Sequence, residues 1–102
     1  MGRSPRSPLT NMERVRLTMI ANLVQLYPND YDDNPDVRQW IKRLCQGLPP
    51  LARRVARRLL GRMKIKTDRT VMSDADYLAL DIMAYVRMIA TENASVHWGQ
   101  RR

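Results

Sequence analysis

Phenylalanine is missing from this 102-residue chain, histidine and cysteine occur once each, and no aspartate or glutamate lies between Val37 and Lys66. Each absence excludes something. Without phenylalanine, a core must be filled by Leu, Ile, Val and seven Met, the last of which pack adaptably. With Cys45 alone, no intrachain disulfide forms, which fits a reducing compartment. His97 and Cys45 stand far apart and cannot furnish a zinc set between them. The four glycines are isolated, so there is no glycine-rich phosphate loop.

No apolar run reaches the roughly eighteen residues of a membrane span. The opening MGRSPR lacks the Ser or Thr of the myristoylation pattern, and no signal-peptide-like apolar region follows. A cytoplasmic location is expected, or a nuclear one in a eukaryote. Acid–base catalysis needs titratable groups held at different pKa values. The one carboxylate cluster, Asp30, Asp32 and Asp33, sits among turn formers. Asp30, Asp32 and Asn34 match the first three ligand positions of a calcium loop. The match then ends, because Pro35 stands where Gly is required and Ile41 where a bidentate Glu belongs. A non-enzymatic protein without cofactor or metal is expected.

What is present is helical periodicity. Residues 1–9, with Arg-Ser-Pro in tandem, read as a disordered basic arm. Thr10 and Glu13 fit a capping box that opens a first helix, Asn11 to Tyr27, with Met12, Val15, Met19, Ile20, Leu23, Val24 and Tyr27 as its apolar stripe. Asn34 caps a second helix, Pro35 to Gln46, whose Val37, Trp40, Ile41 and Leu44 are expected to face the core. Gly47 suits a left-handed cap, with Leu48 as its apolar contact. A third helix is expected from Pro50 to Met63, then a connector over 64–72. Ser73 and Asp76 open a fourth helix, to about Asn93, that is apolar nearly all round. Such a helix is buried centrally or pairs with a copy of itself, here through Leu80, Met83 and Met88. The tail from residue 98 is expected to fray. The fold class is thus all-α: one compact four-helix domain over 10–97, with a buried C-terminal helix and a basic third helix.

The charge is concentrated. Between Val37 and Lys66 there are ten Lys or Arg and no acid, whereas the other eight cations face ten acids, so the net +8 belongs to this segment. On the third helix Arg53, Arg54, Arg57, Arg58 and Arg62 fall on one half, and Leu51, Ala52, Val55, Ala56, Leu59, Leu60 and Met63 on the other. Like charges at i, i+4 weaken a helix. The face calls either for an anionic ligand or for neutralisation by acids such as Asp30, Asp32, Asp33 and Asp36.

The expected ligand is nucleic acid, DNA or RNA, met by Arg53, Arg54, Arg57, Arg58, Arg62, Lys64 and Lys66, with Arg38, Lys42 and Arg43 extending the surface. Pro50–Lys66 contains no Asn, Gln, Ser or Thr, so base-edge readout is not expected and backbone phosphates are. The lengths of the second and third helices resemble a helix-turn-helix, and Gln46–Leu60 resembles the first helix of sigma-factor-type DNA-binding regions, but no recognition helix follows. The rival partner is an acidic protein surface, for an adaptor or inhibitor. A membrane surface is not expected, because the apolar side of the third helix lacks Trp and Phe anchors. A homodimer is expected.

Overall fold

Thr10 and Glu13 form the anticipated capping box: the Thr10 hydroxyl accepts from the Glu13 amide at 3.1 Å, and the Glu13 carboxylate accepts from the Thr10 amide at 3.1 Å. From there a computed structural model, describing residues 8–28 and 33–100 with side chains as far as residue 92, runs through four helices. These are α1 (Asn11–Leu26), α2 (Pro35–Cys45), α3 (Pro50–Leu59) and α4 (Asp74–Gln100). The structure is all-helical. α1 packs on the other three helices, and α3 packs along α4.

One apolar core joins all four helices, with Leu17 and Ile20 from α1, Val37 and Ile41 from α2, Ala52 and Val55 from α3, and Ala79 and Ile82 from α4. Leu48, in the α2–α3 turn, is also buried. Leu9 belongs to this core as well, so the fold begins inside the stretch expected to be a loose arm; the remainder of that expectation, residues 1–7, lies outside the described residues.

Three apolar stripes differ from expectation. On α1 the buried residues are Leu17, Ile20, Ala21 and Leu23, while Met12, Val15 and Met19 are exposed. On α2 Trp40 is 54% exposed. α2 packs chiefly on α1, so Val37 and Ile41 suffice to bury its main contact face. α4 enters the core as read, but through one side only, with Ala75, Ala79, Ile82 and Val86 buried and Tyr77, Leu80, Tyr85 and Met88 exposed. α4 also continues beyond Asn93 to Gln100, through most of the stretch expected to fray.

α3 is shorter than expected, because Gly61 ends it. At φ +75° Gly61 turns the chain left-handed. Its amide donates to Arg58 O at 3.2 Å, and the Arg62 amide to Arg57 O at 2.8 Å, the paired bonds of a Schellman cap. Gly47, φ +73°, turns the chain after α2. There Arg16 of α1 donates from Nη1 to Gln46 O at 2.8 Å, satisfying a helix-end carbonyl.

α4 begins on a capping box in which an aspartate replaces the usual Glu. Asp76 accepts from the Ser73 amide at 2.9 Å and the Ser73 hydroxyl at 3.0 Å. It also accepts from Arg58 Nε at 2.7 Å and the Lys66 amide at 3.2 Å. This carboxylate is 1% exposed, yet four donors surround it. The Ser73 amide first, and then the Arg58 guanidinium, hold its carboxyl well below the usual range, against the opposing effect of burial.

Two measurements follow from this architecture. A Cβ at Gly47 meets nothing within 4 Å, so Gly47→Ala carries only backbone strain; a loss of about 1–2 kcal/mol in urea unfolding is expected. Because the folded-state carboxyl of Asp76 is depressed, its contribution is fully present above the unfolded carboxylate range and is lost as pH falls. The urea midpoint should hold steady down to about pH 5 and decline from about pH 4. Asp76→Asn should flatten that decline; an unchanged acid limb would show that Asp76 is not its source.

Candidate polyanion-binding surface

α3 is amphipathic with its halves clearly divided. Ala52, Val55, Ala56 and Leu59 are buried, whereas Arg53, Arg54 and Arg57 are exposed. The buried arc is explained by spacing, since these four side chains fall within about 100° of one another at 100° per residue. Arg54 and Arg57 lie nearest the centre of the opposite arc. Arg53 and Arg58 lie at its two edges, each about 110° from the middle of the buried arc.

The edge arginines are tied into the fold. Arg53 donates Nη2 to Leu48 O at 3.0 Å, bracing the turn before α3, and remains exposed. Arg58 is withdrawn from the basic surface to which it was assigned. Its side chain is 9% exposed, pairs with Asp76, and also donates Nη1 to Arg54 O at 2.9 Å. Burial of one carboxylate required a cation beside it, and Arg58 is the α3 arginine within reach.

The remaining assigned cations divide into groups. Lys64 and Lys66 follow α3 on the connector and are exposed. Arg38 and Lys42 of α2 line a cleft of about 400 Å³ with Ile41, Cys45, Gln46, Leu60 and Arg62. Arg43 lies elsewhere, in a groove lined by Met19, Leu23, Leu26, Tyr27, Trp40 and Leu44. It therefore does not join Arg38 and Lys42, because it sits about 140° around α2 from Arg38. Cys45 is half-buried; burial raises its thiol pKa, and the Arg62 charge acts against that.

Among the described residues an acid neutralises one member of this face, Arg58, through Asp76. Among the described residues the ion pairs are Arg14–Asp81 at 3.2 Å and Arg58–Asp76; neither Asp33 nor Asp36 reaches α3. Asp30 and Asp32 lie outside the described residues. Among the described residues no three His, Cys, Asp or Glu gather as a metal set, and no helix is long and apolar enough to cross a membrane.

The helix-turn-helix resemblance does not extend to packing. α2 rests chiefly on α1, and α3 on α4 and α1, and residues 60–73 after α3 hold no helix that could enter a groove. Of the residues assigned to an apolar contact surface, Leu80 and Met88 are exposed. Met83 packs against the core instead, beside Ala21, Val24, Leu59 and Val86.

Sequence reasoning missed the groove between α1 and α2, because its apolar residues also fit buried stripes. It also missed the partnership of Arg58 with Asp76. The available signal was the edge position of Arg58, one turn after Arg54 and beside buried Val55. No family model, characterised protein or solved structure matches this chain, so the surface is read from its own chemistry.

The division of the arginines has a direct test in urea unfolding. Arg54→Glu and Arg57→Glu should each stay within about 0.5 kcal/mol of wild type, as exposed substitutions do. Arg58→Ala should cost about 3 kcal/mol, the low end for breaking a buried pair, because three other donors still serve Asp76.

Proposed function

We propose that this is a small, non-enzymatic regulatory protein that binds nucleic acid, DNA or RNA, chiefly through the phosphate backbone, with α3 as the contact helix. The observation that carries this reading is the exposed Arg53–Arg54–Arg57 face, followed directly by exposed Lys64 and Lys66, with no acidic neighbour on α3 or the connector to Lys66. An unneutralised cluster of this kind favours an anionic ligand. Arginine suits phosphate in particular, since its planar fork donates two parallel hydrogen bonds. The absence of Asn, Gln, Ser and Thr from Pro50–Lys66 argues for contact without base-edge readout. Among the described residues the exposed aromatics are Tyr27 after α1, Trp40 on α2, and Tyr77 and Tyr85 on α4, none of them on α3, which disfavours a stacking platform for single strands on this face.

The experiment is fluorescence anisotropy of a short labelled DNA duplex and an RNA hairpin, titrated at several salt concentrations. If the surface covers about four to six phosphates, log K against log salt on DNA should slope roughly −4 to −5. The variant Arg53→Ala/Arg54→Ala/Arg57→Ala should flatten that slope by about 3, one for each phosphate contact removed. Arg58 is left in place so that the fold is kept. Binding weaker than about 10⁻⁴ M at physiological salt, or a slope unaltered by the three substitutions, would sink the reading. The α3 face would then be assigned to an acidic protein surface, as in an adaptor or inhibitor.

A further inference from the structure

α1 buries one side and keeps a second apolar side exposed. Met12, Val15, Met19, Asn22 and Leu26 follow one another at i, i+3, i+7, i+10 and i+14, so they fall within about 80° of one another around the helix. This is the a/d spacing of two heptads, the repeat by which one helix pairs with another. The four apolar members are between 49% and 67% exposed, and Asn22 is exposed with them. Met19 lines two grooves at once: one of about 520 Å³ toward α2, with Leu26 and Trp40, and one of about 350 Å³ toward α4, with Val15 and Tyr85. The stripe is therefore the crest of a continuous apolar surface flanked by Trp40 and Tyr85. That surface covers several hundred Å², the scale at which an exposed patch marks an interaction site.

The five crest positions carry no charge, in a chain of net charge +8. A charged partner finds nothing on the crest to pair with, whereas a second copy matches it in both period and polarity. The basic surface does not stand in the way. Ala21 and Val24 of α1 line a cleft with Leu59 of α3, and they lie about 170° around α1 from the middle of the crest. Two copies joined through their crests thus carry their α3 helices on the outer sides. The exposed stripe of α4 is less suited to pairing. Tyr77, Leu80 and Ala84 keep the same spacing, but the next position in the repeat is Arg87.

We propose that this protein is a homodimer in which α1 pairs in parallel with α1 of a second copy, rather than through α4. Parallel pairing sets Asn22 opposite Asn22, where each amide offers the other a donor and an acceptor. Antiparallel pairing over the whole crest sets Asn22 against an apolar residue and leaves a buried amide unsatisfied, at a cost in stability. A two-fold axis parallel to α1 also places the α2 edge of one copy beside the α4 edge of the other. Arg43, at the α2 edge, then lies on the side of Asp81 of the second copy and not of its Arg43. Two heptads are short for a coiled coil, so the Trp40 and Tyr85 edges complete an interface that in its standard form takes about 800 Å² from each partner.

The experiment is sedimentation equilibrium of the nuclease-treated full chain over a range of concentrations, at low salt and at about 1 M salt, where surface charges are screened. The expected mass is twice the 11.9 kDa of one chain, kept at high salt. Val15→Glu/Met19→Glu alters exposed positions, so its helicity should match wild type while its mass falls to that of one chain. Leu80→Glu/Met88→Glu should stay dimeric. A wild-type monomer at every concentration overturns the proposal and leaves the crest to a different protein or to parts of this chain outside the described residues. A dimer that survives the α1 variant, is lost in the α4 variant, or dissolves at high salt overturns it as well.

The direction of pairing has its own readout, which also decides the matter if the α1 variant loses helicity. Asn22→Cys, combined with Cys45→Ser so that it is the only thiol, should give a disulfide-linked dimer on mild oxidation, because opposed crest positions come within disulfide reach. A protein that resists this cross-link does not pair in parallel through α1, and the proposal is rejected. No nucleic acid enters these measurements, so their outcome is separate from that of the α3 reading.

Discussion

A buried carboxylate is tolerated only where enough donors replace its lost water, and Asp76 is such a group. Its four donors come from three places in the chain: the Arg58 side chain on α3, the Lys66 amide in the connector, and the Ser73 amide and hydroxyl before α4. The same carboxylate caps the first turn of α4, where the positive end of the helix favours it. One side chain therefore starts a helix, anchors an irregular segment and joins α3 to α4. The core would not by itself specify these placements, since Ala75, Ala79, Ile82 and Val86 bury apolar surface without directional bonds. Direction comes from the Asp76 network.

This arrangement also determines which arginines remain available. The basic half of α3 looks uniform in one dimension, yet its members do three kinds of work. Arg58 is committed to Asp76. Arg53 braces the preceding turn while still facing solvent. Arg54 and Arg57, at the middle of the polar arc, are exposed and meet no acid among the described residues. The α2 cations separate in the same way: Arg38 and Lys42 share a cleft with Arg62, and Arg43 turns to an apolar groove.

Much of the fold was legible in the residues because local chemistry governs it. Thr10 with Glu13, Asn34 before Pro35, Gly47, and Ser73 with Asp76 each act within a few positions, and each does what its type and spacing imply. What was not legible depends on which helix lies against which. Met12, Val15 and Met19 repeat as well as Leu17, Ile20 and Ala21 do, and only the placement of three neighbours around α1 decides which set is buried. Trp40 is exposed for a similar reason, since α2 packs chiefly on α1. The candidate surface was legible as charge and not as geometry. The acid-free run from Val37 to Lys66 is plain, but the withdrawal of Arg58 depends on a carboxylate eighteen residues away.

The Lys66 amide has a consequence for how the chain comes together. It sits in a connector without regular structure, yet it is bonded to a carboxylate that becomes buried only when α4 lies against α3. An amide of this kind exchanges its hydrogen with solvent slowly while the two helices are closed, and quickly when they part. Exchange at this one position therefore tracks the opening of the α3–α4 contact, separately from the fraying of either helix.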